Sequence, residues 1–325
     1  MTKNESHSME PTPIEIQSTI FGPGEKGSVR LHVGRLPSAT PIGIHVEVYN
    51  SEVPGPRVLI MAGVHGDEIN GVEIVRRCIA QGIFDEIVRG SLIVVPLLNV
   101  YGFINFSREV PDGKDVNRSF PGSARGSLAS RVARVVTRRL LPLVDFAVDF
   151  HTGGSNNYNY PQIRYTKGHA ESETLARQFA PPILLAKRPI SKSFRKVAVD
   201  AGKPVLIYEG GENLRFDGFC IEQGLQGLKR LLYQQGMLAE EPLPQPAAPK
   251  SFSKSSWLRA PRAGMFRWWK SSGHKVNKGE PLAVINDPYG QDEIPVVAHK
   301  DGFIIGHNNA PVVSAGDALF HIAYS

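Results

Sequence analysis

Apolar residues along the chain fall into two kinds of stretch. Val58–Ala62 (VLIMA), Ser91–Leu98 (SLIVVPLL), Leu143–Phe150 and Pro204–Tyr208 (PVLIY) are short and almost continuously apolar, the pattern of strands buried on both faces of a parallel sheet. Between and after them lie segments with helical spacing: Glu68–Ile79, where Ile69, Val72, Val75, Cys78 and Ile79 recur, then Ser127–Leu141, Glu171–Phe179 and Phe219–Tyr233. This alternation predicts an α/β domain, a mixed sheet flanked by helices. Pro41–Tyr49 alternates apolar and polar and reads as an outer strand, with His45 on it structural. Val100–Gly126 carries no clear period and reads as a long loop, a length that is usually functional or disordered. Phe21–Gly27 (FGPGEKG) satisfies G-x-G-x-x-G, but it holds a proline and does not join a strand to a helix. A turn is expected there, not a dinucleotide site.

Residues 1–20 are expected to be an arm and residues 21–239 the main domain. The Pro-, Ser- and Ala-rich residues 240–256 read as a linker, and residues 257–325 as a small all-β module. That module holds an internal repeat: Val276-Asn-Lys-Gly279-Glu280-Pro-Leu282-Ala-Val-Ile285 matches Val313-Ser-Ala-Gly316-Asp317-Ala-Leu319-Phe-His-Ile322. Two equivalent strand-turn-strand units facing each other across a pseudo-twofold are predicted. The repeat is similar to the barrel-sandwich fold of lipoyl and biotinyl carrier domains, in which a lysine sits at the hairpin tip between the repeats. Here the tip reads Asn286-Asp287-Pro288-Tyr289-Gly290 and Lys300 lies off it, so an unmodified, structural copy is expected.

Composition bounds the function without choosing it. The 325 residues are 41% hydrophobic, enough for a large core, and the net charge of +6 arises from 37 basic and 31 acidic residues that are intermixed. The stripe of Arg131, Arg134 and Arg138 reads as a solvated helix face, and no nucleic-acid partner is expected. Cys78 and Cys220 fall in helical segments as small buried thiols, and no disulfide is expected. The first residues lack the apolar stretch of a signal peptide and no run reaches membrane-span length. A cytoplasmic protein without a membrane partner is the expectation, with homo-oligomerisation left open by the sequence.

The candidate chemistry sits where the apolar runs end. The first run delivers His65 and Glu68 into a turn before a helix, the place where α/β sheets put their sites. His-x-x-Glu sets a nitrogen and a carboxylate close enough to share one small cation. A catalytic zinc takes three protein ligands, and His151, in Asp149-Phe150-His151-Thr152-Gly153-Gly154 at the end of another run, is the candidate third. Alternatively, His65 and Glu68 cap the helix and His151 is a core histidine. Asp149, on the same side of its strand as His151, is placed to orient it. Glu209, at the end of PVLIY and followed by two glycines, is the candidate general base, with Glu212 as competitor. In the long loop, Arg108 and Asp115-Val116-Asn117-Arg118 offer guanidinium and amide donors suited to a carboxylate. Asn156–Tyr160 and the short strand around Ile163-Arg164-Tyr165 read as a pocket wall, with Arg164 a candidate substrate contact.

Taken in order, GVHGDE, DVNRSFPG, DFHTGG and YEGGE resemble the succinylglutamate desuccinylase/aspartoacylase family, relatives of the zinc carboxypeptidases, over roughly residues 40–235. The resemblance implies one Zn2+ per chain on His65, Glu68 and His151, Glu209 as base, Asn117 with Arg118 on a substrate carboxylate and Arg108 on the scissile carbonyl. Many relatives carry an arginine after the second histidine where this chain has Asn156-Asn157, so acyl or amine recognition is expected to differ. The implied activity is a zinc-dependent amidohydrolase that removes an acyl group from a small N-acylated amino acid or related amine by zinc-activated water. A carboxypeptidase acting on short peptides and a non-catalytic metal-binding scaffold are the alternatives.

Overall fold

The computed structural model describes residues 12–35, 38–242 and 247–325. In chain order the elements are β1 (Ile14–Ile16), β2 (Thr19–Phe21), β3 (Lys26–Arg35), β4 (Pro41–Asn50), β5 (Arg57–Ala62), α1 (Ile69–Ala80), β6 (Ser91–Val95), α2 (Val100–Ile104), α3 (Leu128–Val135), β7 (Phe146–Gly153), β8 (Asn157–Thr166), α4 (Ala170–Phe179), β9 (Ile183–Lys187), α5 (Phe194–Asp200), β10 (Val205–Glu212) and α6 (Gly218–Gln234). The C-terminal elements are β11 (Lys250–Phe252), β12 (Lys254–Arg259), β13 (Gly264–Trp268), β14 (Lys275–Val276), β15 (Pro281–Asn286), β16 (Glu293–Val297), β17 (Gly302–Asn308), β18 (Val312–Val313) and β19 (Ala318–Tyr324). No helix among the described residues is long and apolar enough to cross a membrane.

The apolar runs become the parallel centre of the sheet, β10-β7-β5-β6. Their side chains alternate between two cores, as the period of two requires. Val58, Ile60, Val148, Phe150, Leu206 and Tyr208 pack with α1, α4 and α6. Leu59, Met61, Ala147, Val205 and Ile207 pack with α3 and α5 on the other side. Continuing that parity, Asp149, His151 and Glu209 leave the sheet on the α3–α5 side.

Several boundaries differ from the sequence reading. Residues 1–11 lie outside the described residues, but Ile14–Phe21 is a hairpin with Ile14 and Ile16 fully buried, so the expected arm is partly core. β3 pairs outside β4, making β4 an internal strand. The expected long loop contains α2 and a turn of 3-10 helix at Val116–Arg118. A Cβ on Gly66 would lie 1.9 Å from the Gly102 carbonyl carbon and 2.0 Å from Phe103 N, so α2 rests on the turn that carries His65. Gly66→Ala is therefore expected to destabilise the protein by about 1–3 kcal/mol or more, read as a lower urea midpoint at unchanged slope.

The linker assignment also changes. Within residues 240–256, 243–246 lie outside the described residues, while Lys250–Phe252 pairs with β9 and Lys254 onward forms β12 against β19. One 13-stranded sheet, with β12-β19-β17-β8-β10-β7 in its order, runs from the C-terminal strands into the main domain. Asn309 reinforces this seam, donating to Glu212 Oε2 at 2.6 Å. The repeat is expressed as two matched units. Val276 pairs with Gly302 and Val313 with Gly264; Asn277 N donates to Glu280 Oε2 and Ser314 N to Asp317 Oδ2; Gly279 and Gly316 both adopt positive φ, where a side chain would be strained. The tip residue Asp287 accepts from the backbone N–H groups of Tyr289, Gln291 and Asp292, a tight polar turn without lysine.

Candidate active site

β5 is followed by Gly63 at φ 63°, and the chain turns through His65 and Glu68 into α1. Glu68 occupies the N-cap position of α1 but makes no side-chain cap bond, against the reading of His65 and Glu68 as helix caps. Its carboxylate instead accepts from Thr152 N at 3.1 Å and meets His65 Nδ1 and His151 Nδ1, each at 2.8 Å. The two Nδ1 atoms are 3.3 Å apart. All three residues are buried, and their ligand atoms lie within 4.8 Å of one another.

The outer nitrogens explain what this cluster is for. His65 Nε2 is 3.1 Å from Asp115 Oδ1, and His151 Nε2 is 2.9 Å from Asp149 Oδ2. Ionised carboxylates only accept, so Asp115 and Asp149 hold a proton on each Nε2, and with a cation between the rings each Nδ1 would present its lone pair inward beside Glu68. Three acceptors converge in a buried space, an arrangement that a cation satisfies. Burial pushes both imidazoles down, yet the surrounding carboxylates outweigh it and raise both, the sign of a site built to stabilise positive charge. Nitrogen and carboxylate donors in this set match zinc. Asp149→Ala is expected to weaken metal affinity about 10- to 100-fold, measured by competition with a chromogenic chelator.

The remaining groups line the same cavity, of about 250 Å³. Glu209, which is 8% exposed, is held by Arg164 Nη1 at 2.8 Å and by Asn159 Nδ2 at 2.8 Å. Both partners come from β8, which lies beside β10, and β10 is bulged just after Glu209, a distortion that re-aims side chains next to sites. Glu212 lies on β10 too, but it is engaged by Asn309. Arg108 reaches Glu68 Oε1 at 3.1 Å and pairs with Asp115 at 2.9 Å. Asn117 lines the cavity while its Oδ1 accepts from Phe194 N at 2.9 Å, and Arg118 is exposed at the rim. The eight residues expected to bind metal, act on the amide or touch substrate therefore line one cavity, although Arg164 contacts Glu209 there; Asp149 and Glu212 are not among its lining residues.

Asn159 belongs to the stretch read as a pocket-wall loop, but its bond to Glu209 is not foreseen there, and the sequence reading does not single out Arg195 or Trp257. Arg195, on the short helix α5, is 6% exposed and has its Nη1 without a protein partner; burial and Arg164 push its guanidinium down to about 10. Trp257 lies on β12, at the junction of the expected linker and module. The signal for β12 is the weak alternation in Lys254–Arg259.

Residues 54–234 match the succinylglutamate desuccinylase/aspartoacylase catalytic domain. The N-alpha-acetyl-L-2,4-diaminobutyric acid deacetylase of Halomonas elongata is 27% identical over 285 residues, 83% of this chain and 82% of that one. The product-bound ectoine utilization protein EutE (DoeB) of Ruegeria pomeroyi has a similar fold, with TM-score 0.84, 23% identity and coverage of 96% of this chain and 99% of that one. So does a succinylglutamate desuccinylase/aspartoacylase of Rhodobacter sphaeroides, with TM-score 0.82, 24% identity and coverage of 93% and 95%. The family match spans more than half of the chain and takes in His65, Glu68, His151 and Glu209. The chain belongs to the succinylglutamate desuccinylase/aspartoacylase family, whose members are deacylases that hydrolyse amide bonds.

Proposed function

We propose that the protein is a zinc-dependent amidohydrolase that removes the acyl group from a small N-acylated amino acid or related amine. One observation carries this reading: the convergent acceptors of His65, Glu68 and His151 share a cavity with a buried, aimed carboxylate, Glu209. Zinc bound there supplies a Lewis acid and a water of lowered pKa. Glu209, fixed by Arg164 and Asn159, takes a proton from the attacking water. A C–O bond forms at the amide carbon, the C–N bond breaks, and Glu209 returns the proton to the leaving nitrogen, so the products are a carboxylate and an amine. Arg108, beside Glu68, is placed to donate to the carbonyl oxygen as charge develops, a contribution typically worth about 3–4 kcal/mol. Asn117 and Arg118 at the rim hold the substrate carboxylate.

A small-molecule substrate is favoured over a peptide because Trp257, from the C-terminal strands, lines the cavity where a peptide groove would have to remain open. The Halomonas elongata deacetylase, named for an N-acetylated diamino acid, is of the same substrate class. We also infer that residues 257–325 form an unmodified barrel-sandwich-like module, supported by the matched turns at Gly279 and Gly316 and the lysine-free tip. The test is amine release by the zinc-loaded protein across N-acetyl, N-succinyl and other N-acyl amino acids, N-acyl diamines and short peptides. Turnover of an acylated amino acid or diamine supports the proposal; turnover of peptides alone overturns it in favour of a carboxypeptidase.

A further inference from the structure

The polar cavity has one apolar side, and the C-terminal strands contribute its largest member. Trp257 lines the cavity together with Ile207 and Ile190. Ile207 stands two residues before Glu209 on the same face of β10, so apolar surface begins immediately beside the base. Trp257 is the direct cross-strand neighbour of His321 in the β12–β19 pair, and the two rings stack with centroids 4.6 Å apart and planes 11° from parallel. His321 is itself fixed: Ser255 Oγ lies 2.7 Å from its Nε2, and β17 pairs with it from the other side. Burial, with Arg164 and Lys187 nearby, pushes His321 well below the usual histidine range. The ring beneath Trp257 is therefore a neutral plate, and the indole is braced as an aromatic wall.

That wall is rigidly indexed to the chemistry. From β12 the hydrogen-bonded ladder runs through β19, β17 and β8 to β10, which carries Glu209. Along it, Gly306, His307 and Asn308 of β17 pair with Asn159, Tyr158 and Asn157 of β8. The indole Nε1 has no hydrogen-bond acceptor among the described residues, so the ring is not consumed by internal bonding. An aromatic surface beside two isoleucines, in a cavity otherwise lined mainly by polar and charged groups, offers hydrocarbon its one apolar contact.

We propose that Trp257, with Ile190 and Ile207, is a specificity-determining wall that receives an apolar portion of the substrate, so that the C-terminal strands set how long a hydrocarbon the deacylase accepts. This inference rests on the deacylase reading and makes Trp257 a binding surface, not a participant in bond breaking. The hydrocarbon belongs either to the acyl group or to the amino-acid side chain, and the two sources are separated by the substrates used.

The experiment measures kcat/KM for wild type, Trp257→Phe and Trp257→Ala on two series. One is N-acetyl, N-propionyl, N-butyryl and N-hexanoyl alanine; the other is the N-acetyl derivatives of alanine, norvaline and norleucine. In wild type, one series is expected to rise about two- to fourfold per added methylene. Trp257→Ala is expected to flatten that slope and Trp257→Phe to keep most of it. In the Glu209→Gln protein, the longest member of the favoured series is expected to shift the indole emission, and the added Trp257→Phe change to remove that shift. A wild type indifferent to length in both series overturns the proposal while leaving the deacylase reading intact. So does a Trp257→Ala variant that loses the same factor on every substrate, which is the behaviour of a purely structural residue. Absence of turnover on every member of both series, in a protein that turns over another N-acyl substrate of the wider panel, also overturns the proposal; silence across that whole panel is what would overturn the deacylase reading.

Discussion

Replacing Glu209 by Gln is expected to lower kcat by about 10²- to 10⁴-fold, the usual worth of a positioned general acid–base, while zinc content and the unfolding midpoint stay near wild type. The physical basis is local. The amide keeps the shape of the carboxylate and an acceptor for Asn159 Nδ2, which lies 2.8 Å from Glu209 Oε2. It cannot take a proton from water or return one to the leaving nitrogen. Arg164 loses the partner it reaches at 2.8 Å, but at 25% side-chain exposure it can turn to solvent, so the cost in stability is modest. Steady-state kinetics with metal analysis on the same samples check this. A Glu209→Gln protein that turns over like wild type would mean that another group carries the proton.

The second large effect is expected from the cluster itself. His151→Ala removes one of the three convergent acceptors and strands the Asp149 carboxylate, which is fully buried and has its other oxygen already without a partner. Zinc should no longer copurify, and turnover should fall to background. Breaking a buried charged pair by deleting one member typically costs about 3–5 kcal/mol, so the variant should also unfold at lower urea. The contrast with Glu209→Gln, active-site silence with the metal retained, separates the role of the ligands from that of the base. Metal analysis and urea titration of the purified variants provide the check.

The legibility of this site in the sequence follows from where its residues stand. His65, Glu68, His151 and Glu209 close or follow apolar runs whose burial is dictated by composition alone. Parity along β7 and β10 then places Asp149, His151 and Glu209 on one face. What the sequence conceals depends on pairing between distant strands. Asn157-Tyr158-Asn159-Tyr160 looks like loop because half of its residues are polar, yet β8 runs ten residues, paired with β9 and β10 and, over its first residues, with β17. Lys250–Ser256 looks like linker because Lys and Ser dominate it, and becomes strand because β9 and β19 offer free edges. Arg195 sits on a seven-residue helix, too short for periodicity to register. A buried guanidinium is in any case the least expected use of a residue that is charged and usually exposed.

The central claim, that His65, Glu68 and His151 hold the metal on which deacylation depends, is tested most directly by titration of the chelator-treated protein with zinc. Amine release and bound metal are followed in the same sample, using whichever N-acyl substrate the panel identifies. The account predicts no turnover without metal, a linear rise in rate with added zinc, and a break at one equivalent per chain. Full turnover by the metal-free protein, or a rate that stays flat while one equivalent binds, would contradict it.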